Sequence, residues 1–103
     1  MKRIQHQKQL LTILDALSHP VRLKIISSLF VKSQYVSELA RSLEISRPLL
    51  YLHLQKIEEA KLITSNMEIS ETGKALKYYK LNSFQFEISE KMIHKLTENK
   101  GDC

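Results

Sequence analysis

The stretch from Ser46 to Lys61 gathers side chains able to bond with phosphates and with the edges of base pairs. Arg47 presents paired N–H donors that match guanine O6 and N7. Tyr51 offers a phenol to a phosphate oxygen. Gln55 lies further along the same outward side, and Pro48, Leu49 and Leu52 stand between them. Leu49 and Leu52 can touch thymine methyl groups or pack locally. Arg41, Lys56, Lys74 and Lys77 are candidates for phosphate contacts, which position a protein without reading sequence. Ordinary solvated lysines are the alternative for any one of them.

Chemistry of other kinds finds few residues. No nucleophile, base and orienting group stand at recognisable spacing, and no Gly-rich phosphate loop occurs, so no enzyme activity is expected. His6, His19 and His53 are scattered, which predicts structural or exposed roles rather than metal ligation. Cys103 is the only cysteine; it predicts a solvated thiol or a dimer crosslink, and a reducing cytoplasm. The apolar runs are far too short for a membrane span, and residues 1–9 lack a signal-peptide core. No cofactor is expected.

The bulk numbers agree with a polyanionic partner. Sixteen Lys and Arg against 11 Asp and Glu give a formal net charge of +5. The pI is about 9.4, a footprint of nucleic-acid binding. At 103 residues, with only 2 Gly and 2 Pro, the chain suits one domain of helices with short connections.

Periodicity supplies the elements that must hold these side chains. Leu10, Ile13, Leu14 and Leu17 predict a helix from Ile4 to Leu17. Ser18 or His19 caps a second helix, Pro20 to Val31, which buries some combination of Val21, Leu23, Ile26, Leu29 and Phe30. Arg22, Lys24 and Lys32 are expected on its basic outer face. After a polar break at Ser33-Gln34-Tyr35, a helix runs from Val36 to Leu43. Ser46 caps the next helix, which extends to Lys61 with Leu50, Leu54, Ile57 and Leu62 inward. A β-hairpin follows, turning at Glu71 to Lys74, its second strand expected to continue to Ile88. Ser89 caps a last helix carrying Met92, Ile93 and Leu96.

Two short helices joined through Glu44-Ile45-Ser46 and followed by a hairpin describe a winged helix-turn-helix. The first helix braces the second, whose N-terminal half enters the major groove. The outermost helices are both amphipathic. Packing Leu10, Leu14, Leu17, Met92, Ile93 and Leu96 against a second copy would bury their stripes; capping their own domain is the alternative.

Residues 16–26 (ALSHPVRLKII) resemble the "AL-HP-RL-IL" opening of the ArsR family of bacterial and archaeal repressors. Val36 to Ala40 is similar to its "VSELA" brace. His53-Leu54 and residues 58–63 resemble its recognition helix, and Gly73-Lys74 with Tyr78 to Leu81 its wing. The resemblance implies a homodimeric winged-helix repressor of mainly α fold, five helices and a β-hairpin wing. In it, residues 1–18 and 89–99 dimerise, 36–61 form the helix-turn-helix and 64–82 the wing. One metal site of the family falls on Tyr35, Val36 and Ser37, where both thiolates are absent. A second falls near Glu87, Glu90, His94 and Glu98, with one imidazole and unmatched spacing. A regulator that does not respond to metal is expected, bound to an inverted repeat in double-stranded DNA and released by an unknown effector, a partner protein or expression level. A protein-interaction module, docking through Leu49 and Leu52, is the rival reading.

Overall fold

The structure is a computed structural model and describes residues 3–98, so Cys103 lies outside the described residues. Five helices and three strands follow one another: α1 Gln7–Leu17, α2 Pro20–Val31, β1 Gln34–Tyr35, α3 Val36–Leu43, α4 Arg47–Glu59, β2 Ile63–Ile69, β3 Ala75–Leu81 and α5 Glu90–Glu98. Side chains satisfy free N–H groups at the starts of α1, α2, α4 and α5. His6 Nδ1 accepts from the Gln9 N–H at 3.2 Å, so α1 begins at Gln7 rather than Ile4. His19, not Ser18, caps α2, its Nδ1 accepting from the Val21 N–H at 3.1 Å. Ser46 Oγ accepts from Leu49 at 3.3 Å and Ser89 Oγ from Met92 at 3.1 Å. Pro20 and Pro48 fall in first turns, where the missing N–H costs nothing.

The wing is a three-stranded antiparallel sheet in the order β1-β3-β2. The expected polar break at Ser33-Gln34-Tyr35 therefore contains a short strand, with Gln34 opposite Tyr79 and Tyr35 opposite Tyr78. The β2–β3 ladder runs from Ile69 opposite Ala75 to Ile63 opposite Leu81. It stops there, not at Ile88, because the chain before Ile63 belongs to the turn out of α4 and leaves no partner strand. Phe84 and Phe86 keep the alternation but pack half-buried against the core, their ring centroids 5.8 Å apart. Asn82 seals the junction, its N–H donating to the Leu62 carbonyl and its amide to the Lys61 carbonyl, both at 2.9 Å.

The core lies where α2, α3 and α4 meet the base of the wing. Ala16, Ile25, Leu29, Val36, Leu39, Leu50, Leu54, Ile57, Leu62, Ile63 and Tyr79 form one buried cluster. Burying each large apolar side chain stabilises the fold by about 1.5–3 kcal/mol. In α2 the inward face is rotated from the expected one. Ile25 and Leu29 are buried, Val21 and Ile26 are half-buried, and Leu23 and Phe30 are 53% and 80% exposed. Leu23, Ile26 and Phe30 line an open apolar groove with Leu81 and Phe84. Arg22 is corrected most sharply: it is buried instead of lying on a basic outer face.

Candidate nucleic-acid interface

Helices α3 and α4 are joined by a turn that the backbone closes on both sides. The Ile45 N–H reaches the Ala40 carbonyl at 3.2 Å and the Glu44 N–H the Arg41 carbonyl at 3.3 Å. This Schellman arrangement puts Glu44 in the left-handed region, with φ 56°. The same pattern ends α4: Leu62 donates to Ile57 at 3.3 Å and Lys61 to Glu58 at 2.9 Å. Lys61 takes φ 62° there. A side chain in this region costs about 1–2 kcal/mol, so the fold holds both bends against a local penalty.

Helix α4 then divides cleanly. Leu50, His53, Leu54 and Ile57 face inward and are buried. Arg47, Pro48, Leu49, Tyr51, Leu52 and Gln55 are exposed, together with the cap Ser46 and Arg41 of α3. The expected contact residues of α4 thus share its outward, exposed side. Leu49 and Leu52 are 43% and 62% exposed, so neither is consumed by local packing.

The wing is tied to this helix. Lys77 on β3 holds its amine 5.8 Å from the Tyr51 ring centre and 5.6 Å from that of Tyr79. Burial pushes the Tyr79 phenol up from its ordinary pKa, against the pull of Lys77. Ser65 Oγ on β2 donates to Glu58 at 3.0 Å. On the other edge the Tyr35 phenol donates to Glu68 at 3.1 Å, and that bond first of all raises its pKa. Lys74 is exposed at the hairpin tip, where Gly73 takes φ 85°. Lys56 is placed differently: its amine bonds Asp15 of α1 at 3.1 Å.

A polar joint lies behind α4. Arg22 Nε donates to the Ala16 carbonyl at 3.1 Å and Nη2 to the Asp15 carbonyl at 2.9 Å. Nη1 lies 3.0 Å from His53 Nδ1. The His19 and His53 rings sit 4.6 Å apart. Burial first, then the His19 and Arg22 charges, push the His53 pKa down. The signal in the chain was only that His53 falls one position before an inward leucine.

The terminal helices share their apolar residues between inside and outside. Leu10 and Leu96 are buried within the chain, Leu17 and Met92 are half-buried, and Leu14 and Ile93 are 40% and 44% exposed. Leu11, beside Leu14, is 58% exposed. Among the described residues, no group of three or more His, Cys, Asp or Glu could hold a metal ion. Nor is any described helix long and apolar enough to cross a membrane.

A brace helix, a second helix with a free outward side and an antiparallel wing define a winged helix-turn-helix, the fold of a DNA-binding transcription regulator. Residues 19–65 match the bacterial regulatory protein, arsR family. An HTH-type transcriptional regulator of Methanocaldococcus jannaschii is 42% identical over 85 residues, covering 82% of this chain and 88% of that one. The chain therefore belongs to the ArsR family of transcription regulators, a family of DNA-binding proteins without enzyme activity. Solved structures agree. HlyU of Vibrio cholerae is 26% identical with a TM-score of 0.63, over 74% of this chain and 77% of that one. The transcriptional repressor BigR of Xylella fastidiosa is 28% identical with a TM-score of 0.61, over 74% and 72%. NolR of Sinorhizobium fredii shares the fold at 23% identity and a TM-score of 0.63, over 100% of both chains.

Proposed function

We propose that this regulator is a homodimeric repressor that binds an inverted repeat in double-stranded DNA and does not respond to metal. The observation that carries the reading is the exposed row Ser46, Arg47, Pro48, Leu49, Tyr51, Leu52 and Gln55 on α4. A helix face of this kind fits the major groove. Arg47 reads a guanine, and Tyr51 bonds a phosphate. Arg41, Lys74 and Lys77 supply further phosphate contacts. Lys56 contributes less, since Asp15 already engages its amine. Segments 36–61 and 64–82 are the helix-turn-helix and wing, with 1–18 and 89–99 joining two copies; of these, residues 1, 2 and 99 lie outside the described residues. Leu11, Leu14 and Ile93 present the apolar surface such a joint needs, whereas Leu10 and Leu96 support it from inside. Repression is suggested by the BigR relative. Metal independence is supported by donor chemistry: Tyr35, Val36 and Ser37 carry no thiolate, and His94 is the one imidazole near Glu87, Glu90 and Glu98.

The exposed Leu49 and Leu52 also favour a second reading, an apolar docking face for a protein. Footprinting on DNA upstream of its own gene, repeated across salt, separates the two. Six phosphate contacts predict an affinity loss of roughly 10³-fold between about 50 and 200 mM salt. Two protected half-sites about one helical turn apart or a multiple of it support the dimer. No protection at low salt, or an affinity indifferent to salt, refutes the DNA reading. Release from DNA by stoichiometric zinc refutes metal independence.

A further inference from the structure

Arginine carries only donors, and its guanidinium keeps its proton at any pH a protein tolerates. At 3.0 Å from Nη1, His53 Nδ1 must therefore be the acceptor. That requires a lone pair on Nδ1, so the imidazole is neutral with its proton on Nε2. The same guanidinium holds the last carbonyls of α1 through Ala16 and Asp15. Arg22 thus pins the middle of α4, opposite its exposed side, to the end of α1. Few other groups balance charge at this place. From α1 comes Asp15, whose carboxylate is 4.0 Å from Arg22 and is shared with Lys56 of α4. From α2 come its cap His19, whose ring centre lies 4.6 Å from that of His53 at a tilt of 50°, and Arg22 itself.

We propose that Arg22 is a positioning residue for α4, and that its bond to neutral His53 makes DNA binding by this chain weaken on acidification. A proton on Nδ1 removes the acceptor and sets an imidazolium against a guanidinium, beside a second imidazole. Asp15, the carboxylate that reaches this place among the described residues, is exposed and already paired with Lys56, so it offers weak compensation. Relief comes by moving α4 away from the end of α1, which displaces the outward face that Arg47 and Tyr51 occupy. The inference rests on the DNA reading of α4. Its sign is distinctive: protonating exposed imidazoles adds positive charge and strengthens phosphate binding, whereas His53 would act in the opposite direction.

The test is fluorescence anisotropy on the footprinted DNA, at constant ionic strength, from about pH 7.5 to 5.5, across the imidazole range. Wild type is compared with His53→Asn, whose Oδ1 can replace Nδ1 as acceptor but takes up no proton, and with His19→Asn, which keeps a capping side chain. Wild type and His19→Asn are expected to lose affinity on acidification, by up to about tenfold per pH unit for one proton. His53→Asn is expected to lose that dependence. Equal slopes in wild type and His53→Asn overturn the proposal alone; absence of DNA binding at every pH overturns the DNA reading and this proposal with it. Nitrogen-15 shifts of the His53 ring in the wild-type protein test the joint without a variant. A bare Nδ1 and a protonated Nε2 at neutral pH are expected, and the reverse tautomer overturns the assignment.

Discussion

Replacing Arg22 by Met tests the joint behind α4 as an energetic element. Methionine fills the space of the arginine stem but brings no donor. The Ala16 and Asp15 carbonyls and His53 Nδ1 then lose partners at 3.1, 2.9 and 3.0 Å. A hydrogen bond from a charged donor contributes about 1.5–3 kcal/mol, and an acceptor left unpaired in the interior costs about 1–3 kcal/mol. Two terms offset this loss. Water can reach the exposed end of α1 at Asp15, and a guanidinium no longer has to be taken out of water. The ion pair with the exposed Asp15, at 4.0 Å, adds little. The net expectation is a loss of about 2–4 kcal/mol. Urea unfolding at neutral pH and fixed protein concentration reads it. With a slope of about 1–2 kcal/mol per molar, the midpoint falls by about 1–4 M. The same change made in a His53→Leu background should cost less, by at least about 0.5 kcal/mol, since the two residues share a bond. A loss below about 0.5 kcal/mol in the single variant, the size of an ordinary surface change, refutes the reasoning.

Lys61→Gly relieves the left-handed strain at φ 62° but loosens the unfolded chain, so a gain of about 0.5–1 kcal/mol is expected in the same assay. Stability should also fall on acidification in a particular window. The His53 pKa is depressed on folding, so its contribution is complete above the ordinary value of about 6.5 and is lost as pH falls from there to the folded-state pKa. Thermal unfolding of wild type and His53→Asn across that range checks the sign. Arg47→Ala should cost about 1–3 kcal/mol in DNA affinity and relax preference at one base position. Lys74→Ala should weaken all sequences alike, and binding to a panel of operator variants distinguishes the two.

The helices were readable because each carries its own instructions. Apolar residues recur at helical spacing in α1 and α4, and Ser46, Ser89, Pro20 and Pro48 mark starts by chemistry that acts within a turn. The order of brace helix, recognition helix and wing follows from those local signals, and so does the outward row from Arg47 to Gln55. Tertiary structure decided the rest. Two residues, Gln34 and Tyr35, have no period to read; they are a strand only because β3 lies beside them. The alternation from Phe84 to Ile88 reads as a strand, yet a ladder needs a neighbour and the described residues supply none past Leu81. Arg22 looks like a surface charge until α1, α2 and α4 converge on it. A guanidinium can be buried only where acceptors meet it from several elements at once, and that convergence is a property of the packed molecule, not of any window of its chain.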